Sequence, residues 1–247
     1  MDLEKRTGDI LAAVVKEFIG TGEPVSSGWL YDRYDFGIKP AMIRLILKDL
    51  DDAGYLEQPN YSAGRVPSDK GYEYFARYAL DKDAPINPVP GGLLQAFERH
   101  AWPDLVHRLS ANLGVMSIMA EPDAGYVYKT GFDQLLERVE WRTKQELAAI
   151  ARDIENLDGR LTALRAMFAN DDGVHIYVGR KSPVTHCESL SVVAGDYDVG
   201  DGKRFLLLAV GPKRMDYQRT AKVFKNLKAA TTRENTKKGA KQKTNKQ

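Results

Sequence analysis

The sequence lacks the features that define several large classes of protein. Cys187 is its only cysteine, so the chain can form no internal disulfide and no zinc site built from cysteines. No run approaches the roughly 18 to 20 apolar residues that a membrane-spanning helix needs. The first residues, MDLEKRTGD, are charged where a secretory signal is apolar. Because 43% of the 247 residues are apolar, we expect a globular, cytoplasmic protein.

Positive charge is also scarce outside the last nineteen residues. The net charge is +2, but residues 229–247 contain six Lys or Arg and one Glu, which leaves about −3 for the rest. Residues 1–80 hold ten basic and thirteen acidic side chains. Binding to nucleic acid would therefore depend on where individual cations lie and not on the charge of a whole domain.

Residues 1–80 have the order of elements of a winged helix-turn-helix. Apolar residues recur at helical spacing from Ile10 to Ile19, Ser26 can cap a short second helix, and Pro40 can begin a third. Two short strands around a tip at residues 60–64 follow, and then a fourth helix. Three helices and a hairpin predict a winged helix.

The rest of the chain predicts an α/β domain behind a linker. Residues 81–92 contain three prolines and end in two glycines, a composition typical of a linker. Helical patterns alternate with candidate strands over residues 93–228, which indicates a modest α/β sandwich and a mixed α/β (α+β) fold class overall. The lysine-rich residues 229–247 are expected to be disordered and to add nonspecific affinity for nucleic acid.

The third helix has an outer face that is small, apolar and positive. Its expected inward residues Ile43, Ile46, Leu47 and Leu50 leave Arg44 and Lys48 one turn apart on the other side. In a major groove Arg44 can reach phosphates and base edges, whereas Lys48 can reach phosphates. The candidate contacts from this region are Lys39, Pro40, Ala41, Met42, Arg44, Leu45 and Lys48. A solvated helix face, with its cations paired to Asp49 and Asp52, explains the same pattern.

The hairpin tip supplies a second candidate contact. Ser62, Ala63 and Gly64 are small and precede Arg65, so a slim tip could carry one guanidinium into a minor groove. An arginine beside a glycine turn is also common where no DNA is bound. The wing therefore supports DNA binding without establishing it.

Two other classes of function remain open at this point. The outer face of the third helix is half apolar, through Met42 and Leu45, and its domain is net acidic, which suits a module that binds another protein. An enzyme is disfavoured because the sequence contains no recognisable constellation of acid, base and nucleophile. We therefore expect no catalytic residue, no metal ligand and no cofactor.

Longer stretches of sequence resemble one known family. The run EPVSSGWLYDRYDFGIKPAMIRLILKDLDDAGYLEQPNYSAGRVPSDKGYEYF resembles the winged helix of the heat-inducible transcription repressors of the HrcA type, through GEPV, DLDDAGYLEQP and SAGRVPSDKGY. Residues 174–219, from VHIYVGRKSP to VGPKRMDYQR, resemble the C-terminal end of the same family. The resemblance implies a dimeric repressor of chaperone genes that binds an inverted-repeat operator. It also implies a GAF-like domain after the winged helix and modulation by the GroE chaperonin.

The sequence departs from this family in two places. Where the family has a polar run entering its recognition helix, this chain has KPAMIRLI. Arg44 matches that run, but Lys39, Pro40, Met42, Leu45 and Ile46 do not. Leu45 replaces an outward amide, and the loss of one bidentate adenine contact costs roughly 1 to 3 kcal/mol of discrimination. In addition, the family's inserted dimerisation domain is missing between Glu121 and Gly125.

An operator with two-fold symmetry would then require another dimer surface. One candidate is a predicted helix over residues 143–168, where apolar residues follow heptad spacing. They are Leu147, Ile150, Ile154, Leu157, Leu161, Leu164 and Phe168. The same stripe could instead pack on the sheet of its own domain, and Asp158 with Gly159 could split the helix.

Three further motifs are interpreted as structural. The segment GDYDVGDG lacks the lysine of a phosphate-binding loop, so residues 200–202 are predicted to form a hairpin turn. His186 and Cys187 are neighbours that would point to opposite faces of a strand. His100 and His107 have no carboxylate cluster between them.

Overall fold

The computed structural model describes residues 3–60, 63–81, 92–121, 125–141, 143–168, 173–199 and 203–244. The chain divides into two compact units, Met1–Lys82 and Asp83–Gln247. Most of the expected linker, residues 82–91, lies outside the described residues, as does the turn expected at 200–202. The fold has the expected class, with helices and antiparallel sheets in a winged helix-turn-helix and an α/β unit.

The first unit is a helical domain with a small antiparallel hairpin. Its described elements are α1 (Lys5–Thr21), α2 (Ser27–Arg33), α3 (Pro40–Asp52), β1 (Leu56–Glu57), β2 (Val66–Pro67) and α4 (Asp69–Asp81). Ser26 caps α2, because its Oγ accepts a hydrogen bond from the N–H of Trp29 at 3.1 Å. Pro40 lies in the first turn of α3, where a missing N–H costs nothing. Both predicted helix starts are confirmed.

The second unit is built on a five-stranded sheet in the order β4-β3-β7-β6-β5, with every neighbouring pair antiparallel. Its helices are α5 (Leu93–Glu98), α6 (Trp102–Leu113), α7 (Phe132–Arg138), α8 (Lys144–Glu155), α9 (Asp158–Met167) and α10 (Tyr217–Thr244). Its strands are β3 (Met116–Glu121), β4 (Tyr126–Thr130), β5 (Val174–Val178), β6 (Leu190–Asp198) and β7 (Arg204–Pro212). Strand residues alternate between two covered faces, so nearly every residue of β6 and β7 is buried.

Helices cover both faces of this sheet. On one face α7, α8 and α9 pack on alternate residues of β3, β6 and β7 through an apolar cluster that includes Leu135, Ile150 and Leu164. On the other face lie α5, α6 and α10, where the rings of Phe97, Tyr197 and Phe205 pack together. The unit is therefore a three-layer sandwich of helices, sheet and helices.

The prediction of a leucine seam between two chains was wrong. The helix divides into α8 and α9 near Leu157, and the apolar stripe packs on its own sheet. Each of Ile150, Ile154, Leu157, Leu161, Leu164 and Phe168 is at most 6% exposed, and Leu147 is only half-buried. Heptad spacing specifies an apolar stripe, but it does not specify which surface covers that stripe.

Two other elements differ from expectation. The helix expected over residues 93–113 is broken at Arg99–Ala101, where His100 has φ of 55° and Pro103 opens the next helix. In place of a disordered tail from residue 229, α10 continues to Thr244. Alanine, lysine and glutamine favour a helix even where little apolar surface is available to pack. No helix in the described ranges is long and apolar enough to cross a membrane.

Candidate nucleic-acid interface

Helix α3 is held in place by one apolar face. Ile43, Leu47 and Leu50 are at most 4% exposed and pack in the core of the first unit. Because these positions recur at three- and four-residue spacing, the opposite side of α3 is turned to solvent. This is the side that the sequence predicts to contact DNA.

A polar network ties α1 to α2, the helix that precedes α3. Glu17 accepts hydrogen bonds from Trp29 Nε1 at 2.9 Å and from the Tyr34 hydroxyl at 2.7 Å, and Arg33 lies 3.6 Å away. Burial raises the pKa of Glu17, but these donors and the Arg33 charge outweigh it and lower the pKa overall. Burial and the bond to Glu17 raise the pKa of Tyr34 to about 12. The network therefore joins α1 to both ends of α2.

The exposed face of α3 combines cations with apolar side chains. Arg44 and Lys48 are exposed, and neither forms an ion pair within the described residues. Met42 is 48% exposed and Leu45 is 50% exposed. Lys39 and Ala41 are also exposed, and Pro40 is half-buried. The alternative interpretation, in which Asp49 and Asp52 neutralise the two cations, is not what the structure shows.

Backbone hydrogen bonds hold the wing, which is the hairpin of β1 and β2, to Val25 at the start of the helix-turn-helix. Val25 and Arg65 form an antiparallel bridge, with N–H to O=C distances of 2.9 and 2.8 Å. Gln58 Nε2 donates to the carbonyl of Ala63 at 3.1 Å, and Ala63 N–H donates to Asn60 at 2.9 Å. Ala63 and Gly64 are half-buried, and the predicted contact Ser62 lies outside the described residues. These bonds hold the described part of the wing against the first unit.

The prediction that Arg65 projects a free guanidinium from the wing tip was wrong. Its side chain is 16% exposed, and its Nε lies 3.0 Å from Asp51 Oδ2 at an angle unsuited to a hydrogen bond. Asp51 belongs to the last turn of α3. The ion pair joins the wing to the recognition helix, so Arg65 positions the wing instead of extending from it. This contact spans fourteen positions of the sequence, and nothing in the local pattern around Arg65 indicates it.

Gly64 is required where the wing passes the start of the helix-turn-helix. A Cβ at this position would lie 2.5 Å from the carbonyl carbon and oxygen of Val25. Replacing Gly64 by alanine should lower the free energy of unfolding by about 1 to 3 kcal/mol, because backbone atoms must shift. Urea unfolding followed by circular dichroism measures the change. Gly20, in α1, has no atom within 4 Å of such a Cβ, so Gly20→Ala should raise the same free energy by about 0.5 to 1 kcal/mol. Equal effects of the two substitutions would contradict this account.

Among the described residues, the second unit buries two carboxylates, Asp153 and Asp196. Asp153, on α8, is 7% exposed, and its Oδ1 accepts from Arg160 Nη1 at 2.5 Å. Its Oδ2 accepts from the backbone N–H groups of His186 and Cys187 at 2.7 and 3.0 Å. Burial raises the pKa of Asp153, but these three hydrogen bonds and the Arg160 charge together hold the pKa below its ordinary value. Asp153 therefore anchors the loop between β5 and β6 to α8 and α9.

This anchor gives His186 and Cys187 a structural role. Burial, and then the Asp153 charge, raise the pKa of the Cys187 thiol to about 11, so the thiol is protonated at neutral pH. Within the described ranges, no three His, Cys, Asp or Glu side chains lie close enough to hold a metal ion. Sequence reasoning missed Glu17, Asp51 and Asp153, because each acts through partners on other elements.

Comparison with known proteins places the chain in a family of winged-helix proteins, in agreement with the fold. A winged helix-turn-helix followed by an α/β unit defines a winged-helix protein, and one solved structure, a hypothetical protein, shares the fold with a TM-score of 0.70. It is 17% identical and the match covers 94% of this chain and 97% of that one. Residues 92–221 match the family model for the HrcA protein C terminal domain. The chain belongs to the HrcA family, and the resemblance inferred from the sequence is confirmed.

Curated relatives with this name match parts of the chain. The heat-inducible transcription repressor HrcA of Carboxydothermus hydrogenoformans is 36% identical over 131 residues, which cover 51% of this chain and 38% of the relative. The protein of the same name from Moorella thermoacetica is 49% identical over 75 residues, which cover 30% and 22%. The matched region is thus less than half the length of either relative.

Proposed function

We propose that this chain is a transcription repressor of the heat-shock type, which binds an inverted-repeat operator as a homodimer. The observation that carries the proposal is the exposed face of α3, where Arg44 and Lys48 form no ion pair with any residue that the structure describes. The names of the relatives, heat-inducible transcription repressors, support the same function. The modulation by the GroE chaperonin follows from the family resemblance alone.

The start of α3 is suited to a DNA phosphate. Lys39 makes no side-chain cap, and Pro40 has no N–H. Met42 and Ile43 donate their N–H groups to the carbonyl of Lys39, which leaves the N–H of Ala41 directed out of the helix start. An N–H group and a nearby lysine at a helix N-terminus favour an anion. We expect this end of α3 to set the register on the duplex.

The remaining exposed residues of α3 would read the bases. Arg44 can donate two hydrogen bonds to O6 and N7 of a guanine, whereas Lys48 lies one turn further on and would contact a phosphate. Met42 and Leu45 have no polar group, so they can contact only an apolar group such as the thymine methyl. Ala63 and Gly64 would bring the wing backbone close to the neighbouring groove, with Arg65 holding it in position.

Selection from genomic DNA tests the proposal directly. The full-length protein is mixed with genomic fragments, and bound fragments are isolated from discrete gel-shift bands and sequenced. We expect a shared inverted repeat, and competition by unlabelled copies of that repeat at lower concentrations than random DNA. The alternative, a protein-binding module that uses the exposed Met42 and Leu45, gives no discrete band with any fragment. That result would overturn the proposed function.

A further inference from the structure

The sheet of the second unit ends in an exposed edge strand. Among the described strands, β4 pairs only with β3, in a register that places Tyr128 beside Met119. The N–H and C=O groups of alternate β4 residues are therefore directed away from the sheet. Tyr126 is 59% exposed and Tyr128 is 36% exposed. Such an edge is a template for another strand.

The two faces of β4 are distinguished by their contacts. Val127 packs against the apolar cluster under α8 and α9. Lys129 lies on the same face, and its Nζ is 2.9 Å from both carboxylate oxygens of Asp158, in α9. Tyr126, Tyr128 and Thr130 consequently share the other face. Exposed lysines often protect an edge strand from pairing with another chain. The ammonium group of Lys129 is instead paired with Asp158 of the same chain.

The opposite edge of the sheet is better covered. Every residue of β5 is buried or half-buried, whereas three of the five residues of β4 are exposed. The ring of Phe168 packs edge-on against His175 of β5, with centroids 4.7 Å apart. The apolar seam of α8 and α9 is also buried within its own unit. Of the surfaces considered, β4 is the one that remains open to a second chain.

We propose that β4 pairs antiparallel with β4 of a second copy of this chain, so that two five-stranded sheets become one of ten strands. A two-fold axis perpendicular to a sheet pairs residues whose side chains lie on the same face. The register centred on Tyr128 obeys this condition and pairs all five residues. It places Tyr128 opposite its own counterpart, Tyr126 opposite Thr130, and Val127 opposite Lys129.

Charge and packing are both compatible with this register. No charged side chain meets its own counterpart, because Lys129 lies opposite Val127 and is neutralised by Asp158. The two Tyr128 rings would lie side by side on the same face, and aromatic cross-strand pairs stabilise antiparallel strands. Only residues 122–125 separate β3 from β4, so no inserted domain covers the edge. A five-residue pair is smaller than a standard interface, so we expect a dimer that dissociates on dilution.

This inference rests on the proposed function in one respect: an inverted repeat supplies the reason for a two-fold partner. The pairing itself can be tested without DNA. The outcomes are therefore separable, because cross-linking and mass report on the β4 edge and the gel shift reports on α3. A chain that binds an inverted repeat but fails the tests below would overturn this inference alone.

Cysteine cross-linking tests the register. In a Cys187→Ser background, Tyr128→Cys should give a disulfide-linked dimer of the full chain under mild oxidation. Directly opposed residues have Cα atoms about 4.5 to 5.5 Å apart, within the range of a disulfide. Tyr126→Cys alone should not cross-link, because its counterpart lies four residues along the paired strand, about 13 Å away. A mixture of Tyr126→Cys and Thr130→Cys chains should cross-link. Equal yields from Tyr126→Cys and Tyr128→Cys would overturn the register.

A charge substitution tests the edge independently. Tyr128→Lys places two like charges opposite each other, so the solution mass should fall from that of a dimer to that of a single chain. Met167→Lys, at an exposed position on α9 of the same unit, is the matched control and should leave the mass unchanged. Sedimentation equilibrium of the full chain over a range of concentrations gives both values. A wild-type chain that stays monomeric, or a dimer that survives Tyr128→Lys, would exclude the β4 edge as the interface.

Discussion

Replacing Asp153 by alanine is expected to lower the free energy of unfolding of the second unit by about 3 to 5 kcal/mol. The carboxylate is buried, and its removal leaves the N–H groups of His186 and Cys187 without their acceptor. It also leaves the Arg160 guanidinium without its counter-charge, although the carbonyl of Val184 still accepts from Arg160 Nη1. The cost comes mainly from these unsatisfied donors and not from the lost attraction. Urea unfolding of the full chain, followed by circular dichroism, measures it.

The matched control is Asp158→Ala. Asp158 also pairs with a cation, Lys129, but both side chains are well exposed, at 45% and 30%. Water screens such a pair, so its loss should cost about 0 to 1 kcal/mol. Similar losses of unfolding free energy for Asp153→Ala and Asp158→Ala would show that the burial of Asp153 does not increase its contribution to stability.

The pH dependence of the same anchor has a definite sign. The pKa of Asp153 is lower in the folded chain than its ordinary value. Its contribution to stability is therefore complete above the ordinary pKa of an aspartate, about 3.9, and is lost as the pH falls through the lower, folded value. An Asp153→Asn chain should lose this part of the acid dependence, although it still carries the other carboxylates.

Replacing Arg44 by alanine should weaken binding to the selected operator by about tenfold to a hundredfold. A bidentate arginine contact is worth about 1 to 3 kcal/mol, and each 1.4 kcal/mol corresponds to a factor of ten. The substitution should also relax the preference for the base that Arg44 contacts. Fluorescence anisotropy with the operator and with single-base variants measures both effects.

Two other substitutions distinguish contacts with the bases from contacts with the phosphates. Lys48→Ala should weaken binding to all sequences to a similar degree and should reduce the slope of log affinity against log salt by about 1. Arg77→Ala removes an exposed cation from α4, outside α3 and the wing, and should leave operator affinity within twofold of the wild type, on the order of measurement error. An Arg44→Ala chain that keeps its affinity and its base preference would exclude α3 as the reading element.

Local signals in the sequence predicted the first unit well. The apolar spacing of α1 and α3, the cap at Ser26 and the proline at position 40 each depend on a few neighbouring residues. Their physical causes act within one turn of helix, so a single sequence contains them. The exposed face of α3 follows from the same spacing, which is why the cations at positions 44 and 48 were assigned to solvent.

Contacts between distant residues could not be predicted in the same way. Arg65 stands beside small residues that suit a free tip, yet Asp51 draws its side chain back onto α3. The stripe on α8 and α9 suits either a partner chain or a sheet, and only the packing of the strands decides between them. The short helix α7 was missed because its seven residues begin after a glycine and show less than two full turns of periodicity.

The anchor at Asp153 also determines how the only thiol of the chain can react. Cys187 donates its backbone N–H to this carboxylate, and the nearby negative charge disfavours a thiolate. Nucleophilic attack on an oxidant or an alkylating reagent requires the thiolate form, so the folded chain is protected from such chemistry near neutral pH. Modification of this sulfur should therefore be slow in the folded chain and should become faster when the β5–β6 loop separates from α8.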